Sequence, residues 1–126
     1  MYKSLFVSVL ILFPLLASAA APTCHSHSSG NYCQYTGLVK RIYVNSGNLI
    51  LIYFDAPVDV ATANGYGMGI SNGSAAAFSV SDNPEFAKLF YSTALSAQAS
   101  GRAVSIQMRS NQSGYLKFDR IWLESP

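Results

Sequence analysis

Apolar residues are spread along this chain in three ways, and each way predicts a different kind of segment. At the start a lone cation, Lys3, precedes the run Leu5-Phe6-Val7-Ser8-Val9-Leu10-Ile11-Leu12-Phe13-Pro14-Leu15-Leu16, and Ala17-Ser18-Ala19-Ala20-Ala21 follows it. A charged start, an apolar middle and a small-residue end make an export signal over 1–20. A membrane-spanning helix needs about 20 apolar residues, and this run is shorter and interrupted by Pro14. Cleavage after Ala19 or Ala20 suits the junction, because a cut after Ala21 leaves Pro22 beside the scissile bond.

Residues 21–34 carry no apolar period and are rich in Ser, Gly, His and Asn, so they are expected to form an irregular arm. From Tyr35 the pattern becomes that of strands. A β-branched and aromatic run through Val44, the turn residues Asn45-Ser46-Gly47-Asn48 and then Leu49 to Phe54 predict a hairpin, which Ala56-Pro57 ends. Further on, Gly65, Gly67 and Gly69 alternate with Tyr66, Met68 and Ile70, the pattern of a strand with one bare face. No Lys-Ser/Thr follows these glycines, which argues against a phosphate loop. Asn72-Gly73 predicts a turn, with Ala76 to Val80 returning as a strand.

Between 83 and 99 the period changes to that of a helix. Asp82-Asn83-Pro84-Glu85 supplies a cap and a first-turn proline, and Gly101 supplies the stop. Phe86, Leu89, Phe90, Thr93, Ala94 and Ala97 are expected to share its buried face. Val104, Ile106 and Met108 then alternate with polar residues as a half-buried strand. In the last strand, Tyr115 to Leu123, the apolar step shifts between Phe118 and Ile121, which predicts a bulge near Asp119-Arg120.

A hairpin, a third strand or strand pair, one helix and two more strands follow the order of the five-stranded OB barrel, whose helix lies between strands three and four. The fold class is therefore mainly β, an OB-like barrel over 35–126 preceded by the arm; a small α+β sheet carrying one helix is the alternative.

Charge and cysteine content narrow the chemistry. With 8 Lys and Arg against 6 Asp and Glu, the chain lacks the positive field that phosphate backbones require, so nucleic acid is not an expected partner. Cys24 and Cys33 follow the leader into an oxidising compartment, secreted or periplasmic, and are expected to form a disulfide. The competing metal reading, from His25 and His27 beside Cys24, lacks the close cysteine pair of a zinc site. No metal or cofactor is expected. Enzymatic chemistry requires a nucleophile with its base, a carboxylate pair or a metal. Only convergence of His25, His27 and Asp55 would supply one, and Asp55 with Asp59 is ordinary turn composition, so no catalytic residues are expected. Asn72-Gly73-Ser74 and Asn111-Gln112-Ser113 match the glycosylation acceptor pattern. The chain holds 8 Tyr and 7 Phe, and tyrosines beside hydroxyl and amide side chains suit a sugar face.

Two stretches resemble the receptor-binding B subunits of bacterial AB5 toxins, those of subtilase cytotoxin and the pertussis-like typhoid toxin. Tyr35-Thr36-Gly37-Leu38-Val39-Lys40-Arg41-Ile42 is similar to that family's first strand. Phe90 to Ile106, with Gly101-Arg102-Ala103-Val104-Ser105-Ile106, is similar to its passage from helix to fourth strand. The resemblance implies an OB barrel, a homopentameric ring and binding of sialylated glycans, with Thr36 at the serine that grips sialic acid. Met108 stands where the family has a glycan-contacting tyrosine, and the family's disulfide lies deeper in the barrel. The candidate glycan surface is Tyr35, Thr36, Gln107 and Arg109. The expectation is an exported, non-enzymatic binder of cell-surface glycans that self-associates; a secreted or periplasmic protein–protein interaction module is the alternative.

Overall fold

The computed structural model describes residues 19–126, together with Val9 and Ile11, so most of the expected leader over 1–20 lies outside the described residues. In chain order the elements are β1 (Thr23–His25), β2 (Tyr32–Leu38), β3 (Ile42–Val44), β4 (Leu49–Tyr53), α1 (Val60–Gly65), β5 (Ala75–Ser79), α2 (Pro84–Ser100), β6 (Ala103–Gln112) and β7 (Tyr115–Leu123). The strands form one mixed sheet in the order β1-β2-β6-β7-β5-β4-β3. Every pairing is antiparallel except that of β5 with β7.

The chain is thus mainly β, but the seven-stranded sheet has two edges, β1 and β3, and is not closed into a barrel. Two departures from the expected five strands account for the difference. The run from Tyr35 to Val44 breaks after Leu38, and the arm, expected to be irregular, contributes β1 and the start of β2. Cys24 lies directly opposite Cys33 in that small ladder, and the two form the disulfide. The polar composition of the arm hides the pairing because the inner face of this short edge ribbon is supplied largely by the two cysteines, which carry no apolar period.

The hairpin of β3 and β4 turns on Asn45, whose side-chain oxygen accepts from the backbone N–H of Gly47 (2.9 Å) and of Leu49 (3.3 Å). Asn48 completes the turn at φ 63°, a left-handed conformation that asparagine tolerates better than most residues.

The glycine-rich stretch is not a strand. Asp59 caps α1 by accepting from the backbone N–H of Thr62 (2.9 Å) and from its hydroxyl (2.8 Å), and these bonds hold the Asp59 carboxyl below the usual carboxylate range. Past the helix, Gly67 and Gly69 take φ values of 82° and 68°, which β-branched or aromatic residues would resist. Asn64 fixes the segment by bonding both backbone groups of Ile70. Gly73 packs against the carbonyl of Val58, where a β-carbon would stand 2.0 Å from the oxygen.

In α2, Asn83 accepts from the backbone N–H of Phe86 (3.1 Å), Pro84 occupies the first turn, and Gly101 ends the helix at φ 67°. The helix buries Ala87, Phe90, Ala94 and Ala97. Leu89 does not join them; it is 69% exposed, so the helix carries apolar residues on two sides. On the inner side Phe90 lies flat on Phe118 with ring centres 3.5 Å apart, and Phe118 stacks in turn on Phe78 at 5.2 Å. Tyr35, Ile52, Val104, Ile106, Met108 and Leu116 extend this core across the inner face of the sheet.

β6 and β7 are the longest strands, and their register shifts twice. Gln107 faces Arg120 while Met108 faces Phe118, so Asp119 is the extra residue of a bulge. A second shift falls between Met108 and Asn111, where Ser110 takes φ 55°. Bulges of this kind bend a strand pair and increase its local twist.

Candidate functional site

Alternation along β2, β6 and β7 determines which side chains reach solvent. In β2, Cys33 and Tyr35 point into the core, so Tyr32, Gln34 and Thr36 point out. In β6 the side away from the core carries Ser105, Gln107 and Arg109, of which Ser105 is only 6% exposed, and beyond the bulge β7 contributes Arg120 and Trp122. Pairing places these residues in two transverse rows. One runs Thr23, Gln34, Gln107, Arg120, and the other runs Thr36, Ser105, Trp122.

Within the rows the polar side chains are already joined. Gln107 Nε2 donates to Gln34 Oε1 at 3.2 Å, and the hydroxyls of Thr36 and Ser105 are 2.9 Å apart. Gln34, Gln107 and the exposed Thr36 retain unused donors or acceptors that can face a ligand, while Ser105, 6% exposed, supports Thr36 from beneath the surface. Beside them the Trp122 side chain is 44% exposed. Gln34, Ser105, Gln107, Trp122 and Glu124 line a depression of about 280 Å³. An indole face flanked by amides and hydroxyls suits a ligand with one apolar side and many hydroxyl groups.

Arg109 occupies the end of this face. Its Nη1 donates to the carbonyls of Ser29 (3.3 Å) and Gly30 (3.0 Å), and its guanidinium lies 5.7 Å from the centre of the Tyr32 ring. Arg109 therefore anchors the loop between β1 and β2. Its Nε is buried and lies 3.8 Å from Asp119 Oδ2 without a hydrogen bond. His27, Ser29, Tyr32, Gln107 and Arg120 join Arg109 around a second depression of about 250 Å³.

Of the four candidate surface residues, the structure brings Thr36, Gln107 and Arg109 to one outer face and separates Tyr35 from them. Tyr35 is fully buried on the opposite side of β2; its ring packs on Phe54 at 5.0 Å and its hydroxyl donates to the carbonyl of Leu38 at 2.8 Å. Gly37 makes room for that hydroxyl, since a β-carbon there would meet it at 2.6 Å. Met108 is likewise fully buried and offers nothing to the outer face. Gln34, Ser105 and Trp122 are the residues that the sequence reading missed. The alternation that buries Ile106 and half-buries Ile121 was the signal that could have set the last two on the opposite side of their strands.

Burial pushes the Tyr35 hydroxyl above its ordinary pKa; a hydrogen bond with the Asp55 backbone works against the rise, and the Asp55 charge adds a smaller push. The neutral phenol is therefore favoured by folding. Its stabilisation is complete below about pH 10, the ordinary tyrosine value, and is lost as pH rises through the raised folded value. Tyr35→Phe is expected to remove that alkaline component from a stability profile between pH 9 and 12. At neutral pH it is expected to cost about 1 kcal/mol for the unpaired Leu38 carbonyl. Parallel alkaline profiles for the two proteins would contradict this placement.

A larger cleft of about 500 Å³ opens beside the start of α2. Phe78, Phe86 and Phe118 form its floor, and Asp82, Lys117 and Asp119 stand on its rim. Its charges are spent on one another, since Lys117 pairs with Asp82 at 3.3 Å and Asp119 pairs with Arg120 at 2.9 Å. The outer face of β2, β6 and β7 is the better candidate despite its smaller hollows, because its amides and hydroxyls keep unused bonding capacity.

The groups considered for catalysis have separate partners. His25 pairs with Thr23 (2.9 Å), His27 with Ser29 (2.7 Å) and Asp55 with Lys40. No group of three His, Cys, Asp or Glu side chains that could hold a metal ion occurs among the described residues. Nor is any helix among them long and apolar enough to cross a membrane.

Compared with protein-family models, with curated proteins and with solved structures, the chain matches none of them.

Proposed function

We propose that this chain is an exported, non-enzymatic recognition protein that binds glycans through the outer face of β2, β6 and β7 and self-associates, as the B subunits of AB5 toxins do. The observation that carries this reading is the exposed Trp122 beside the Thr36–Ser105 and Gln34–Gln107 pairs. A sugar ring presents C–H groups on one face and hydroxyls at its edge, and it can cover the indole while bonding to both pairs. Arg120, about half exposed, is paired with Asp119 at 2.9 Å and can reach an acidic sugar only by giving up part of that pair.

The fold reading takes β2 and β3 as two halves of one bent strand. Leu38 pairs with Ala103 in β6, while the carbonyl of Arg41 accepts from the N–H of Tyr53 in β4 at 3.1 Å. Only Val39 and Lys40 lie between those pairings. Such a bent strand would pair with β6 through its first half and with β4 through its second, the connectivity that an OB barrel requires. Gln98 of α2 donates to the Lys40 carbonyl at this bend, at 3.1 Å.

Export is supported by the leader pattern over 1–20 and by the disulfide, which persists in oxidising compartments. Self-association is supported by apolar side chains left outside the core. Leu89 is 69% exposed, Leu95 44% and Val44 56%. The same residues favour the second reading, a secreted or periplasmic module that docks on another protein.

A glycan array probed with the disulfide-bonded protein, with a light-scattering mass on the same sample, tests the proposal. Binding to sialylated glycans by an oligomer is the expected result. Trp122→Ala is expected to weaken that binding about tenfold, the effect of losing a stacked aromatic face. A monomer silent on every glycan would overturn the proposal, and recovery of one stable protein partner by that monomer would favour the second reading.

A further inference from the structure

Two bonds tie Ala20 to the folded domain. Its backbone N–H donates to Asp55 Oδ2 at 3.3 Å, and its carbonyl accepts from the N–H of Ala56 at 2.8 Å. Its methyl group packs against the core, facing Gly37. Ala19, one residue earlier, is exposed. Within the described stretch 19–126, Ala20 is therefore the first residue that the fold holds. Ala17-Ser18-Ala19 supplies small residues at the two positions that a leader peptidase reads before the cut.

We infer that export processing cuts between Ala19 and Ala20 and that the new amino terminus becomes a structural partner of Asp55. This rests on the export reading above. Water hydrolyses the Ala19–Ala20 amide: its oxygen goes to the Ala19 carboxylate, and the Ala20 nitrogen takes up protons to become an ammonium. A neutral amide donor is thereby replaced by a cation, and the bond to Asp55 becomes charge-assisted. A cut after Ala20 would discard both bonds and leave the N–H of Ala56 without its acceptor.

Three titratable groups share this corner. The Lys40 ammonium pairs with Asp55 and, with the Ala20 N–H, holds the Asp55 carboxyl below the usual carboxylate range. The Tyr35 hydroxyl feels the same carboxylate. An Asp55 that already accepts from Lys40 is ionised at neutral pH and ready for a second cation. An ammonium beside a carboxylate is favoured in its charged form, and an ordinary α-amino group deprotonates at about pH 8. The contribution of the terminal ammonium is full below that pH and is lost as pH rises through the folded value.

The test has two parts. Intact mass and amino-terminal sequencing of the exported protein are expected to show a chain beginning at Ala20. A start at Ala21 or Pro22 would overturn the inference while leaving export standing, and an uncut chain retained inside the cell would overturn both. In the second part, the protein beginning at Ala20 is compared with its amino-terminally acetylated form. The free form is expected to melt a few degrees higher at pH 7, with the difference gone by pH 11 and absent at both pH values in Asp55→Asn. A difference of equal size in Asp55→Asn, or none in the wild type, would overturn the role given to the terminus.

Discussion

Phe118→Ala is expected to destabilise the protein by about 3–5 kcal/mol, the usual cost of removing a fully enclosed aromatic ring. Phe118 is 0% exposed and lies between Phe90 of α2 and Phe78 of β5. Its loss leaves a void that neither neighbour can fill, because Phe90 is fixed by the helix and Phe78 by the β4–β5 ladder. A chain of this size has about 5–15 kcal/mol in all, so the variant should be marginal at body temperature. Urea unfolding followed by tryptophan fluorescence measures it, with a lowered midpoint and an unchanged slope as the expected signature. A cost below 1 kcal/mol would mean that α2 is not seated on the sheet through this stack.

Opening the disulfide, by the double change Cys24→Ser and Cys33→Ser, is expected to cost about 2–4 kcal/mol. The bond closes a short loop, with a sequence separation of 9, and in the chain-entropy account it lowers the disorder of the unfolded state. It also holds β1 against β2, and with them the loop carbonyls that Arg109 grips. The variant should therefore lose protection from hydrogen exchange across β1 and the adjoining loop first. Equal melting temperatures with and without reductant would contradict this role.

How much of this was legible depends on how strongly each residue's neighbours constrain it. α2 could be bounded to within a residue because a capping asparagine, a first-turn proline and a left-handed glycine are local signals that tertiary packing rarely overrides. Its buried face was less legible, since Leu89 fits the same period as Phe90 and only the position of the sheet decides which one turns inward. β6 and β7 followed from period two, and the bulge at Asp119 followed from the slip in that period. α1 escaped notice because six residues are too few to display a helical repeat, and its one signal was the Asp59–Thr62 cap. Tyr35 was misplaced because an aromatic residue beside a threonine looks like a binding surface when read in isolation. Taken with Cys33, the same alternation points it inward. β1 had no apolar signature, and its register depends on a covalent bond between residues of otherwise polar segments.

The outer face of β2, β6 and β7 is the proposed docking place of a glycan. The most direct test is a titration of the disulfide-bonded protein with sialyllactose, followed by amide and indole chemical shifts in NMR. Shifts at Gln34, Thr36, Ser105 and Gln107 and at the Trp122 indole, saturating together, are the predicted result. Saturating shifts confined to the cleft around Asp82 and Lys117, or none anywhere, would contradict it.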